Sequence, residues 1–154
     1  PGEDNSGKLV AAVRADSRAE AELIGKSLIL IDGPPGIGCP VISSVTGTDL
    51  VVVVTEPTPT GIHDLQRVFS LTDHFRVEAA VVVNKADINS SHLESIKQYC
   101  ASGNHTFLGE IPYEPAITEA QRMGKTILEF NPDCRASIAI GDIYEKLKQI
   151  LEGK

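Results

Sequence analysis

Short uninterrupted apolar runs alternate along this chain with longer stretches in which apolar positions recur every three or four residues. The short runs are 28–31 (LILI), 49–55 (DLVVVVT), 78–84 (EAAVVVN) and 105–111 (HTFLGEI). Their length and β-branched content predict strands buried in a parallel sheet. The longer stretches predict helices. One runs from 8 to about 24 with Leu9, Val10, Val13, Ala19 and Leu23 on its apolar side. A short one follows Pro40, over 41–47, and another follows Gly61 and runs to about Phe75 on Ile62, Leu65, Val68, Phe69 and Leu71. Ser91 and Glu94 are spaced as a capping box for a fourth. A fifth covers about 117–123 and is stopped by Gly124. The last follows Asn131-Pro132, with Ile138, Ile143, Leu147, Ile150 and Leu151 on one side. Strands alternating with helices imply right-handed crossovers. The expected fold is α/β, a doubly wound, mainly parallel sheet with helices on both faces, forming one domain over residues 1–154.

Composition narrows the function. The 154 residues are 42% hydrophobic but only 5% aromatic, so the core is expected to rest on Val, Ile, Leu and Ala. Net charge is −7 with no basic cluster, which argues against nucleic acid as a partner. No apolar run is long enough to cross a bilayer, so no stable membrane insertion is expected. Cys39, Cys100 and Cys134 form no CxxC pair. An odd set of unpaired thiols and no signal peptide point to the cytoplasm. The four histidines show no metal-ligand spacing. Phe69, Phe75, Phe107, Phe130 and Met123 read as core filling. Near the start, GEDNSGKL (2–9) approaches the phosphate-cradling pattern GxxxxGK[ST]. It is rejected, because no strand precedes it, Leu9 replaces the metal-binding hydroxyl, and Glu3 and Asp4 would face the anion. It reads instead as a helix start with Ser6 near the cap.

The chemistry-bearing residues all fall where a predicted strand ends, which is where open α/β sheets bind ligands. Asp32 ends the first run and is followed by GPPGIGCP, stiff in its prolines and open in its glycines. A carboxylate there suits Mg²⁺ held through water, or it caps a turn. Glu56 to Gly61 (EPTPTG) follows the second run, Asn84-Lys85-Ala86-Asp87 the third, and Pro112-Tyr113-Glu114-Pro115 the fourth. The Asn84 amide can pair with a purine edge, and Asp87 could accept from the N1 and N2 hydrogens of guanine. Asn and Asp are also ordinary turn residues. Cys39 is either a ligand for a metal at an interface or a small residue packed at a helix start.

Four segments carry a family resemblance: IDGPPGIG (31–38), VVVVTEPTPTGIHDLQRV (51–68), VVVNKADIN (81–89) and IPYEPAITEAQRMGK (111–125). Together they resemble the later motifs of MinD/ParA-type P-loop ATPases, most closely the branch with an inserted ferredoxin domain. Cobyrinic acid a,c-diamide synthase and Mrp-type iron–sulfur carriers are more distant relatives. The resemblance implies a P-loop NTPase fold lacking its P-loop strand, with ATP and Mg²⁺ as cofactors of the intact protein. It implies that Asp32 holds Mg²⁺ through water, that Gly36 is the switch glycine near the γ-phosphate, and that Asn84 reads the base. Pro112 and Tyr113 lie where the family's loop packs on adenine. Asp32, Asn84 and Pro112 are expected to line one rim. Residues 57–61 fall in a loop that lies near the dimer interface in relatives, so a homodimer is expected.

The departures are specific. The deviant Walker A loop with its two lysines, the early switch aspartate and the ferredoxin cysteines (C-x₂-C-x₂-C-x₃-C) do not occur in these 154 residues. The chain is therefore expected to be the C-terminal portion of such a protein, with any 4Fe-4S clusters upstream of it. By itself it is expected to hydrolyse ATP poorly or not at all, since phosphoryl transfer needs lysine, Mg²⁺ and cradle together. The strands at 28–32 and 49–55 are then expected to pair directly or to share a second copy. The leading functional reading is an ATP-driven switch coupled to iron–sulfur clusters, with an iron–sulfur or redox protein as partner. The alternatives are a GTP-dependent switch, because NKAD fits NKxD, a non-catalytic docking scaffold, and an amide-forming synthetase.

Overall fold

The computed structural model describes residues 3–153. Gly2 of the GEDNSGKL stretch, and the side chains of Glu3, Asp4 and Ser6, lie outside the described residues. The elements run α1 (Glu3–Leu23), α2 (Cys39–Val45), β1 (Leu50–Thr55), α3 (Pro59–Phe75), β2 (Glu78–Asn84), a 3₁₀ turn (Ala86–Ile88), α4 (Ser90–Ser102), β3 (Thr106–Ile111), α5 (Ala116–Arg122), α6 (Ile127–Phe130) and α7 (Arg135–Glu152). Two compact units divide them. The first is Pro1–Val51 with Gln66–Glu78, and the second is Val52–Leu65 with Ala79–Lys154.

In the first unit, α1 packs on α2. The less exposed positions of α1 are Gly7, Val10, Arg14, Ser17 and Ala21, a three-four repeat. Gly7 admits Ser43 and Cys39 of α2 at short range. Arg14 donates from Nη1 to the carbonyls of Ser43 (2.6 Å) and Thr46 (2.7 Å), which satisfies carbonyls at the end of α2. The stripe that packs is thus small and cationic. Of the apolar stripe expected here, Leu9, Val13 and Leu23 are exposed. Apolar periodicity and packing choose different sides of α1.

The expected first strand is not formed. Residues 28–32 form no regular element and join no ladder, and Leu30 is 92% exposed. An apolar run becomes a strand only where a neighbour takes its N–H and C=O groups, and no described segment does so. The expectation that 28–32 and 49–55 pair directly is overturned with it.

The second unit holds the sheet, ordered β1-β2-β3, with β2 and β3 parallel. β2 is central, and Ala79–Val83 are all buried, as a strand covered on both faces requires. β1 is an edge. Val54 is 64% exposed and Val52 is exposed with it, so this run is not the fully buried strand its composition suggests. In β3 the register slips: Val81 pairs with Phe107, but Val82 pairs with Gly109. Leu108 is the extra residue of this bulge, and its carbonyl accepts from Lys146 Nζ of α7 at 2.8 Å. The slip puts Phe107 and Glu110 on one face, where Lys97 of α4 meets both. Its Nζ lies 2.6 Å from Glu110 Oε1 and 5.8 Å from the Phe107 ring centre. Gly109 faces the other way, against Ile143 of α7. Helices therefore cover both faces of this sheet, and the doubly wound α/β expectation holds.

Smaller departures follow local chemistry. Asn89, not Ser91, caps α4, its side chain accepting from the His92 N–H. α3 starts at Pro59, so Gly61 lies inside its first turn. Cys134 is the N-cap of α7. Met123 and Ile138 are exposed rather than core.

Candidate functional site

Asn84 is the last residue of β2 and stands opposite Ile111, the last of β3, so Pro112 and Tyr113 begin beside it. Lys85 follows in the left-handed region, at φ 52°. That conformation costs a non-glycine residue about 1–2 kcal/mol. The Lys85 N–H donates to Asn84 Oδ1 at 3.0 Å, a bond worth about 0.5–1.5 kcal/mol. The ammonium of Lys85 meets Glu56 Oε1 at 2.7 Å, at the end of β1. Both side chains are two-fifths exposed, so the pair contributes only about 0–1 kcal/mol. Together these contacts roughly offset the strain. Because the N–H of Lys85 needs an acceptor, the Asn84 amide has its oxygen fixed. One lone pair and both amide hydrogens remain for a ligand.

Asp87 is committed differently. Its Oδ1 accepts the Tyr113 N–H at 2.7 Å, tying the Pro-Tyr-Glu-Pro loop to the end of β2. Reading guanine takes both carboxylate oxygens at once, and here Oδ1 is shared with the backbone, keeping one lone pair. The loop is closed by Glu114 Oε1, which accepts from the Ala116 N–H at 3.3 Å. The Tyr113 ring is exposed beside it. Asn84, Asp87, Pro112 and Tyr113 therefore share one end of the sheet.

The Glu56–Thr58 loop is held at the same end. Pro57 is wholly buried, and its carbonyl lies 3.2 Å from His92 Nδ1. Thr55 Oγ1 donates to the Gly61 carbonyl (3.0 Å), and the Gly61 N–H donates to Thr58 Oγ1 (3.0 Å). A Cβ on Gly61 would collide with the Glu56 carbonyl. Sequence reading singled out neither the Glu56–Lys85 pair nor His92. The only available signal was opposite charge at the ends of two successive strands.

Asp32, Gly36 and Cys39 belong to the first unit. Asp32 is exposed, ends the 28–32 segment and lines an open groove of about 310 Å³ with Leu9, Val13 and Leu30. Gly36 sits at φ 94°, a conformation that L side chains rarely adopt. Cys39 is an exposed free thiol and the first residue of α2. No cluster of three His, Cys, Asp or Glu that could hold a metal ion occurs among the described residues. An exposed carboxylate such as Asp32 fits Mg²⁺ only in the mode that keeps most of its waters and adds ligand phosphates.

The family model that matches, over residues 25–148, is described as ParA: NUBPL iron-transfer P-loop NTPase. An uncharacterised protein of Methanocaldococcus jannaschii is 30% identical over 97% of this chain and 49% of its own length. The cytosolic Fe-S cluster assembly factor NUBP1 homologue of Caenorhabditis elegans is 28% identical over 78% of this chain and 44% of its length. The chain thus spans about half the length of these curated relatives, or less. Among solved structures, the MinD cell division protein of Aquifex aeolicus superposes with a TM-score of 0.71 at 23% identity, covering 86% of this chain and 59% of that one. MinD of Pyrococcus horikoshii, solved with Mg-ADP, gives 0.69 at 19% identity, over 79% and 50%. These likenesses show the fold, and no helix among the described residues is long and apolar enough to cross a membrane. With the family model covering most of its length, the chain belongs to the ParA family of P-loop NTPases, in its NUBPL iron-transfer branch.

Proposed function

We propose that this chain supplies the base-binding corner and the Mg²⁺-holding aspartate of an ATP-driven switch, which in the intact protein serves iron–sulfur cluster transfer. The observation that favours adenine is the Asp87–Tyr113 bond, which leaves Oδ1 shared with the backbone and so weakens the two-oxygen grip of a guanine reader. Asn84 then reads the purine edge, with Pro112 and Tyr113 beside it. Asp32 is assigned a water-bridged Mg²⁺, which would neutralise phosphate charge. Gly36 is assigned the backbone freedom a γ-phosphate switch needs. Cys39 has no partner cysteine or histidine cluster among the described residues, so the proposal gives it no metal. The proposal includes a cytoplasmic homodimer working with an iron–sulfur or redox protein. Hydrolysis is assigned to the intact protein and not to these 154 residues, which contain no phosphate-binding lysine loop.

The test is equilibrium binding of fluorescent ATP and GTP analogues to the intact protein. ATP is expected to bind more tightly, and Asn84→Ala to weaken it about ten-fold, the loss of one to two hydrogen bonds. Tighter GTP binding would overturn the choice of base. No binding of either nucleotide would overturn the switch and leave a docking scaffold.

A further inference from the structure

Pro112-Tyr113-Glu114-Pro115 leaves β3 with two prolines in four residues, so only Tyr113 and Glu114 offer a backbone N–H. The bonds at its far end are local. Glu114 Oε1 accepts from the Ala116 N–H, and the Glu114 and Pro115 carbonyls accept from the N–H groups of Ile117 and Thr118. These bonds start α5 and do not reach Tyr113. Tyr113 is tied across the sheet end instead, its N–H on Asp87 Oδ1 at 2.7 Å, between residues 26 apart in sequence. A carboxylate acceptor makes such a bond stronger than a neutral one would. Asp87 has a firm base, because it lies in the 3₁₀ turn beside buried Ala86, with the Ile88 N–H closing on the Lys85 carbonyl. The Tyr113 side chain itself is exposed. An exposed ring on a free loop has to be ordered each time a ligand binds, and holding the loop beforehand removes that cost.

We propose that Asp87 is a positioning residue for the base: its carboxylate pins the Tyr113 backbone at the end of β2, so that the Tyr113 ring is already placed to stack on a purine, and it reads no base edge itself. Asp87 thereby sets an affinity that both purines share and leaves the choice between them to Asn84. The inference rests on the reading of Pro112 and Tyr113 as the base-packing loop and adds the residue that holds it.

The experiment titrates fluorescent ATP and GTP analogues against variants of the intact protein. Asp87→Ala should weaken both by the same factor, about three- to ten-fold, the worth of the one hydrogen bond that holds the loop. Before any nucleotide is added, the Tyr113 amide should exchange faster in that variant than in wild type, as NMR would show. Asp87→Asn, which keeps an oxygen for the Tyr113 N–H, should recover most of the affinity. In a Tyr113→Ala background the N–H remains and the ring is gone, so adding Asp87→Ala should cost less than about two-fold. A loss confined to GTP would make Asp87 a base reader and overturn the proposal. Unchanged affinity, unchanged Tyr113 exchange, or a full loss that persists without the ring would overturn it as well, and each of these leaves the base site standing. A wild type that binds neither nucleotide would remove the site and this inference together.

Discussion

A methyl group placed on Gly109 would lie 2.7 Å from Cγ1 and 3.2 Å from Cδ1 of Ile143, a β-branched neighbour with little room to turn. Gly109→Ala should therefore destabilise by about 1–3 kcal/mol, read as a fall of several degrees in melting temperature, with Ile143→Val recovering little of it because valine keeps the nearer Cγ1. The cysteines separate by environment. Burial pushes the Cys100 thiol above its ordinary value, outweighing a backbone hydrogen bond that acts the other way, whereas Cys39 is exposed. Iodoacetamide at neutral pH should label Cys39 and spare Cys100 until the chain is unfolded, as mass spectrometry would show. At this scale the sequence was legible wherever a residue type carries one chemistry. Asn84, Asp87, Pro112 and Tyr113 were all readable as strand-end groups and do share a strand end. What one residue does to the next was not legible. Nothing in the letters says that Asp87 serves the Tyr113 N–H, or that Lys85 is left-handed.

Among the elements, α6 shows how a short helix depends on its cap. Thr126 accepts from the Glu129 N–H at 3.2 Å, while Glu129 Oε2 takes the Thr126 N–H and hydroxyl, each at 2.8 Å. Those two bonds, the backbone one first, hold the Glu129 carboxyl below its ordinary value. A carboxylate depressed in the folded state stabilises above the unfolded value, near 4.5, and that contribution is lost as pH falls through the lower folded value. Glu129→Gln should flatten that part of the acid limb in a pH series of denaturant melts, and do least at the most acid end. At the start of α4, Asn89→Ala should cost about 1 kcal/mol by the same measurement, and Ser91→Ala much less, since Asn89 holds the cap. The T-x-x-E pattern at 126–129 is present in the sequence, but no periodic apolar run follows it to mark a helix. The S-x-x-E at 91–94 was chosen, and an asparagine two residues earlier, already placed by the 3₁₀ turn, took the cap.

For the molecule as a whole, the β2–β3 core and its helices followed from periodicity, because each of their strands finds its partners within the 154 residues. The 28–32 run did not, because periodicity reports burial and says nothing of who supplies the second half of a ladder. Its amides should exchange with solvent at near-unprotected rates in this chain, while those of Ala80–Val83 in β2 stay protected, a contrast that hydrogen-exchange mass spectrometry resolves. In the same way, the exposed apolar side of α1 was readable as apolar but not as unpacked.

The unpaired apolar run at 28–31 has a consequence for handling in solution. With Ser27 it makes five uncharged residues between Lys26 and Asp32, unpaired along the backbone, the shortest window from which cross-β assemblies nucleate. The chain by itself should grow thioflavin-positive aggregates with a lag that shortens as concentration rises. A single lysine at the most open position, Leu30→Lys, should lengthen that lag without lowering the melting temperature, because the side chain it replaces packs against almost nothing.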